Sequence, residues 1–343
     1  MAPIALVEAK TPAVATQDEV LKKKDLGQIE VLDLPQLYTR PSYLTLTHLL
    51  HNLALPPPSW DAPANAPVAD PKGLTKYLTT IISSPLKWLA DDSEREQIWD
   101  LASARLSERC GRSARGDMSR TFRIPLGDGE ETEVRIFEPS LTEDQLGLKT
   151  WGSAYSLCKR LPELYGEGKL VPRCEAGEKA LELGSGTGLL GIGWAGVTGM
   201  GTVLTDLPEI EANLRRNVED NRDDVAGVME VGVLDWTRNG EATIGMGRYR
   251  VVLAADPIYS KEHPGWLVGV VVERLERREG ARFVLEIPIR EGYSWERDEV
   301  RRLLEEGGLE VVGEGRGVGR DDWGGGEVEG WWSVWTWKKE CLE

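Results

Sequence analysis

The sequence predicts an α/β protein: a mostly parallel seven-stranded sheet closed by an antiparallel C-terminal hairpin, preceded by an extension of helices and one β-hairpin. Three observations predict it. After Thr150, short apolar runs, glycine turns and helical stretches repeat, which is the pattern of parallel strands covered on both faces. The last two apolar runs are joined by a glycine-rich loop in place of a helix, which suits an antiparallel pair. Finally, 343 residues, 41% hydrophobic and 29% charged, suffice for a full α/β domain plus an appended segment.

Residues 1–33 hold no sustained period and are expected to be a mobile leader, with Lys22-Lys23-Lys24 as a solvated turn. An N-terminal region over 34–147 follows. Leu44, Leu46, Leu49, Leu50 and Leu53 predict a helix over 42–55 that Pro56-Pro57-Pro58 stops, and the Pro/Ala-rich stretch to Pro71 reads as a linker. A helical stretch runs from Lys76 toward Cys110, broken near Pro85, with Trp88, Leu89, Ile98, Trp99, Leu101 and Leu106 as its apolar stripe. Alternation over 120–125 and 133–137 around Gly127-Asp128-Gly129 predicts a β-hairpin. In the region 148–343, strands are predicted at 179–183, 202–205, 229–234, 249–255, 282–287, 309–315 and 331–337, with helices over 209–221 and 266–278 among those between them.

A formal net charge of −16 disfavours nucleic acid as a direct partner and favours basic protein surfaces. The four cysteines are scattered without a Cys-x-x-Cys pair, and with only three histidines no metal site is expected. No apolar run approaches membrane-spanning length and the first residues lack a secretory pattern, so a cytoplasmic protein is expected, and a monomer is the default.

The segment with the densest chemistry is Glu182-Leu-Gly-Ser-Gly-Thr-Gly188, between an apolar strand and a helix, where sheets of this kind bind ligands. Gly184 and Gly186, with Ser185 between them, let a ligand approach the backbone. Gly186-Thr-Gly188-Leu-Leu-Gly191 also fits a dinucleotide fingerprint, with Asp206 about 20 residues on, so a nicotinamide dehydrogenase is a rival reading. Glu182 weighs against it, because a carboxylate beside the loop repels a pyrophosphate and attracts the cationic groups of S-adenosylmethionine. Asp206 offers acceptors to ribose hydroxyls, with the N-cap of the next helix as its plainer role. Asp235 offers an acceptor for an adenine amino group and Trp236 an apolar face, although ordinary core is the plainer role of a lone tryptophan.

Thr150-Trp151-Gly-Ser-Ala, Glu182 to Gly188, Thr205-Asp206, Leu234-Asp235-Trp236 and Asp256-Pro257-Ile258-Tyr259 together resemble the Rossmann-like seven-strand S-adenosylmethionine-dependent methyltransferases, within them the protein-lysine branch with an Asp-x-x-Tyr motif. The resemblance covers roughly 148–338. It implies S-adenosylmethionine as cofactor, contacts to it from Trp151 and Ala255, and a substrate entrance lined by Asp256 and Tyr259. The longer segment Ala255-Asp-Pro-Ile-Tyr-Ser-Lys-Glu-His-Pro264 is similar to fungal lysine methyltransferases that act on translation elongation factors. It implies a protein substrate of that class. The expected catalytic assignment is Asp256 accepting a hydrogen bond from the target amine and Tyr259 closing the lysine channel, with a turn-capping Asp256 as the plainer alternative.

Three other readings share these residues. Asp256-Pro-Ile-Tyr259 is one residue from the Asp-Pro-Pro-Tyr of adenine and cytosine amino methyltransferases, although the acidic charge opposes nucleic acid. A small-molecule amine is another acceptor. A binding scaffold would instead present Trp331, Trp332, Trp335 and Trp337, which are more simply sheet core. Residues 34–147 carry no chemical motif and are expected to recognise the substrate, shape the channel mouth or serve structure alone.

Overall fold

The computed structural model describes residues 31–61, 72–111, 114–140, 146–237, 242–244, 247–289, 294–320, 322 and 327–343. The expected leader lies outside the described residues except for Val31–Asp33, a single 3₁₀ turn. Two compact units emerge: of the described residues, 31–56 with 72–115 form one, and 57–61 with 116 onward form the other.

In the first unit, α1 (Tyr43–Asn52) starts at Ser42, whose side chain accepts the Thr45 amide at 3.2 Å. Leu46, Leu49 and Leu50 face inward, whereas Leu44 is 74% exposed, because its spacing to Leu46 puts it on the other side of the helix. The long stretch resolves into α2 (Leu74–Ser83) and α3 (Asp92–Ser107), separated around Pro85. Leu74, Tyr77, Leu78 and Ile81 of α2 meet Ile98 and Ala102 of α3 and the leucines of α1 in one core. The half-buried Trp88 and Trp99 close its edge, their indoles donating to the carbonyls of Pro41 and Ser84, each at 2.9 Å.

The second unit begins with the hairpin, β1 (Met118–Gly127) and β2 (Glu130–Glu138). Its turn residues Asp128 and Gly129 both have left-handed φ, 52° and 83°, which matches the twist of a two-residue connection. The boundary between the units therefore falls after Arg115, ahead of the hairpin, and not at residue 148. The cause is packing: Phe122, Ile124, Val134 and Ile136 are buried in the same core as the sheet that follows.

That sheet runs β5-β4-β3-β6-β7-β9-β8, with β3 (Lys179–Leu183), β4 (Gly201–Asp206), β5 (Met229–Val233), β6 (Val251–Ala255) and β7 (Arg282–Pro288) parallel. β9 (Glu327–Trp337) is antiparallel to β7 and to the edge strand β8 (Leu309–Arg320), so the predicted seven strands and their closing hairpin are present. Successive residues face opposite ways: Leu253 packs under α4 (Gly152–Leu164), α5 (Leu189–Thr198) and α6 (Pro208–Asn221), while Val252 and Ala254 pack under α7 (His263–Arg274) and α8 (Ser294–Glu306). Trp331, Trp335 and Trp337 are buried in the second of these layers, and Trp332 lies on the other face under the Arg160 guanidinium at 4.9 Å.

Two features hold the hairpin on this body. The fully buried Asn217 and Asn221, one turn apart on α6, take the outward edge of β2: Asn217 accepts the Phe137 amide at 2.8 Å, and Asn221 accepts the Arg135 amide at 2.8 Å. Their side-chain amides return donors to the carbonyls of Phe137 at 3.1 Å and Arg135 at 2.6 Å. The second feature lies in the stretch expected to be a linker. Trp60 is buried against Phe122 and Tyr155, so residues 57–61 are part of the second unit, while 62–71 lie outside the described residues.

Candidate functional site

β3 ends at Leu183, and Gly184, Gly186 and Gly188 then turn the chain into α5 with φ of 65°, 55° and 88°. A Cβ at Gly184 would stand 3.1 Å from the Trp236 ring, and one at Gly186 3.0 Å from the Gly147 carbonyl oxygen. Ser185 clips the loop to β4: its amide donates to the Thr205 carbonyl at 2.9 Å and its Oγ accepts the Thr205 amide at 3.0 Å. Its hydroxyl is thus engaged in shaping the loop.

Three carboxylates follow from the ends of three neighbouring strands. Glu182, at the end of β3, is 2% exposed, and its Oε2 makes no hydrogen bond of normal geometry. Burial pushes its pKa up to about 8 and the Asp206 charge adds to the push, while the Ser185 hydroxyl and the Gly191 amide offset only part of it. Asp206 ends β4 and accepts the Gly186 amide on Oδ2 and the Leu207 amide on Oδ1, both at 2.7 Å. Burial raises it to about 6, those two amides opposing. It is not the N-cap of α6, which is Leu207. Asp235, beyond β5, accepts the Thr237 amide at 2.9 Å, and the half-buried Trp236 covers Gly184.

These contacts separate the two cofactor readings. The Ser185, Gly186 and Gly188 amides are already spent on the Thr205 carbonyl, the Asp206 carboxylate and the Ser185 carbonyl, the last at 2.7 Å. A pyrophosphate would find those donors taken and carboxylates beside them, whereas a sulfonium or ammonium finds a buried carboxylate whose burial the neighbouring donors offset only in part. The residues fit S-adenosylmethionine and do not fit a dinucleotide.

The other half of the site follows β6. Ala255 ends the strand, and Asp256 is 3% exposed at φ 50°, its amide donating to the Glu286 carbonyl at 2.8 Å. Aspartate is one of the few residues that tolerate this left-handed conformation. The turn buries Ile258 and leaves the Tyr259 ring 41% exposed, its centroid 6.0 Å from that of Trp151, which immediately precedes α4. Trp151, expected to contact the cofactor, and Tyr259, expected to close the lysine channel, therefore meet. Two residues not expected from sequence stand beside them. Glu286, the fourth residue of the otherwise apolar run Phe283–Ile287, is buried on β7, and burial with a contribution from Asp256 raises it to about 7, Ser156 and Arg160 opposing. His263 accepts the Tyr259 amide on Nδ1 at 3.0 Å and lies edge-on to Trp236. A lone carboxylate in an apolar strand, and a histidine four residues beyond Tyr259, were the available signals.

A sequence profile of the family described as lysine methyltransferase matches residues 129–293. The chain is 37% identical over 238 residues to the protein-lysine N-methyltransferase EFM2 of Saccharomyces cerevisiae, which is 65% of this chain and 55% of that protein. It is 29% identical over 303 residues to the protein-lysine N-methyltransferase rrg1 of Schizosaccharomyces pombe, 86% of this chain and 94% of that one. A shorter match, 34% over 131 residues, is to EEF1A lysine methyltransferase 3 of Mus musculus, covering 36% of this chain and 50% of the mouse protein. The matches thus span about half the length of the budding-yeast and mouse relatives and nearly all of the fission-yeast one.

Proposed function

We propose that the chain is a member of the lysine methyltransferase family, a reading supported by the family match over residues 129–293 and the similarity to two protein-lysine N-methyltransferases, and that it transfers a methyl group from S-adenosylmethionine to the ε-amine of a lysine in a protein substrate, specifically a translation elongation factor. The observation that carries this reading is the union of a carboxylate-lined glycine loop with the Trp151–Tyr259 pair at the end of β6. The elongation-factor class rests on the segment from Ala255 to Pro264 and on the substrate named for the mouse relative. In this reading Trp151, Glu182, Gly184, Ser185, Gly186, Asp206, Asp235, Trp236 and Ala255 form the cofactor side, and Asp256 and Tyr259 the acceptor side.

S-adenosylmethionine, when bound, supplies an electrophilic methyl on a cationic sulfur. Glu182 provides the compensating negative charge, and a cation beside it draws its raised pKa back down. Asp206 keeps lone pairs on both oxygens for hydroxyl donors beyond its two amide bonds. Trp236 offers a flat apolar face over Gly184. An incoming lysine has an unperturbed pKa of about 10.4 and must arrive at the methyl with its lone pair free. Once the ammonium has given one proton to solvent, Asp256 accepts a hydrogen bond from one of the two remaining N–H bonds and so turns the lone pair toward the cofactor, while the Tyr259 and Trp151 rings line the path. Holding the two reactants in line is the main catalytic contribution, since no covalent enzyme intermediate is required.

The charge of −16 suits a basic protein surface, and among the described residues no helix is long and apolar enough to cross a membrane. A monomer acting in the cytoplasm, with the helical unit recognising the folded substrate, completes the proposal. Incubating the protein with labelled S-adenosylmethionine and purified elongation factor 1A, then mapping the label, tests it. Label on one lysine, lost when that lysine becomes arginine, is expected. Label confined to nucleic acid or to small amines of a cytosolic extract would overturn the reading.

A further inference from the structure

His263 opens α7, four residues after Tyr259, and sits where the two halves of the site meet. Its ring centroid lies 6.1 Å from Tyr259 and 6.2 Å from Trp236, both edge-on, and 5.4 Å from the partly exposed Trp266. Trp236 in turn covers Gly184 of the cofactor loop, and Tyr259 pairs with Trp151 at the acceptor entrance. One imidazole thus touches a wall of each compartment. Among its polar contacts, the Tyr259 amide donates to Nδ1 at 3.0 Å. A nitrogen that accepts a hydrogen bond must keep its lone pair, so the bond exists only while Nδ1 carries no proton.

We infer that His263 is a positioning residue which, in its neutral form alone, holds Tyr259 at the acceptor entrance and ties it to the cofactor loop through Trp236. The inference rests on the acceptor role given above to Tyr259. Protonation of Nδ1 would set an N–H against the Tyr259 N–H, break the bond and release the start of the tyrosine turn. The surroundings favour the neutral ring. Burial lowers the His263 pKa from its ordinary value, and the positive end of α7 also disfavours an imidazolium. The Pro257 carbonyl and the Glu262 carboxylate pull the other way. Of the remaining ring neighbours, the Tyr259 phenol is titratable, while Trp236 and Trp266 carry no charge. Acceptor recognition should therefore fail as the pH falls through the His263 titration even when the methyl donor is kept at a saturating concentration.

The chain has only three histidines, and His48 and His51 both lie in α1, so ring-labelled histidine gives a resolvable spectrum of the whole protein. At pH 8 the ¹⁵N shifts should show His263 Nδ1 without a proton, and the Tyr259 amide should be protected from exchange until the pH falls through the His263 titration. In turnover, the KM for the protein substrate should rise at least fivefold through the same titration. His263→Leu should raise KM at every pH. His263→Asn, whose Oδ1 can take the same amide and does not titrate, should restore KM and abolish the acid limb. A protonated Nδ1 at pH 8, a His263→Leu variant with the parent KM and pH profile, or an acid limb that survives in His263→Asn would each overturn the inference. The spectroscopic arm judges His263 even if no protein is methylated, an outcome that would sink the functional reading instead.

Discussion

The carboxylate of Glu182 lies so near the backbone of Gly191 that a Cβ at residue 191 would stand 2.4 Å from Oε2 and 2.7 Å from the Leu204 side chain. Gly191 is thus the point at which α5 approaches β3 and β4, and its missing side chain is what lets Glu182 remain buried beneath the loop. Gly191→Ala should lower unfolding stability by about 1–3 kcal/mol through overpacking. It should also weaken S-adenosylmethionine binding, because Glu182 must move to admit the methyl. Denaturant melts and calorimetry check both, and an alanine variant with the parent's stability and donor affinity would show that the helix does not hold the carboxylate.

Glu182, Asp206 and Glu286 are acids held above their ordinary range, to about 8, about 6 and about 7. In each case the folded protein keeps a proton that the unfolded chain has released. The stability they contribute is therefore complete below their unfolded pKa values near 4 and is lost as pH rises through 6 to 8. The donor-free protein should melt at a higher temperature at pH 5 than at pH 8 with respect to these groups. Glu182→Gln should reduce that decline and melt above the parent at pH 8, while losing affinity for S-adenosylmethionine. Donor binding at pH 7 should release protons, visible as a binding enthalpy that changes with the buffer's ionisation enthalpy. A Glu182→Gln variant with the parent's pH slope would remove Glu182 from this account.

What the sequence made legible, and what it did not, divides along the range of the interactions. The parallel strands are local signals, since a fully buried parallel strand needs an apolar run, and the runs of β3, β4, β5 and β6 lead into a glycine or an aspartate where the sheet meets its ligand edge. Glu182, Asp206 and Asp235 could be found in this way, as could Asp256 after β6. The hairpin was visible from alternation and its Gly-Asp-Gly turn, but not its allegiance, which is set by Asn217 and Asn221 some 80 residues further on. His263 reads in sequence as one polar residue near a helix start. Its significance comes from Tyr259 and Trp236, which only the folded chain places around it.

Asp256 combines a left-handed backbone, φ 50°, with a side chain buried at the acceptor side. Two substitutions separate these properties. Asn tolerates the same backbone, whereas Ala there adds roughly 1–2 kcal/mol of strain. If the carboxylate orients the lysine amine, Asp256→Asn and Asp256→Ala should both lower kcat by about 10²-fold or more, with donor affinity near that of the parent. If Asp256 serves only the turn, Asp256→Asn should be nearly as active as the parent and only Asp256→Ala impaired. Single-turnover methylation of the protein substrate at saturating donor distinguishes the two.

Trp60 lies in a stretch whose prolines and alanines read as a linker, yet it is only 7% exposed. Its ring centroid is 5.3 Å from Phe122 and 5.9 Å from Tyr155, and its indole donates to Asp322 Oδ1 at 2.7 Å. The Arg120 guanidinium lies 4.6 Å from its ring centroid while pairing with Asp322 Oδ2 at 2.8 Å and with the fully buried Glu138. The ring therefore covers a charged pair that water would otherwise reach, and removing it changes packing and electrostatics together. Trp60→Ala should destabilise the second unit by about 3–5 kcal/mol, and Trp60→Phe, which keeps a ring but loses the Asp322 bond, by less. Because the loss arises from a cavity above Arg120 and Glu138, Arg120→Met in the Trp60→Ala background should cost less than Arg120→Met alone. Equal costs in both backgrounds would mean that Trp60 and the ion pair stabilise the hairpin independently.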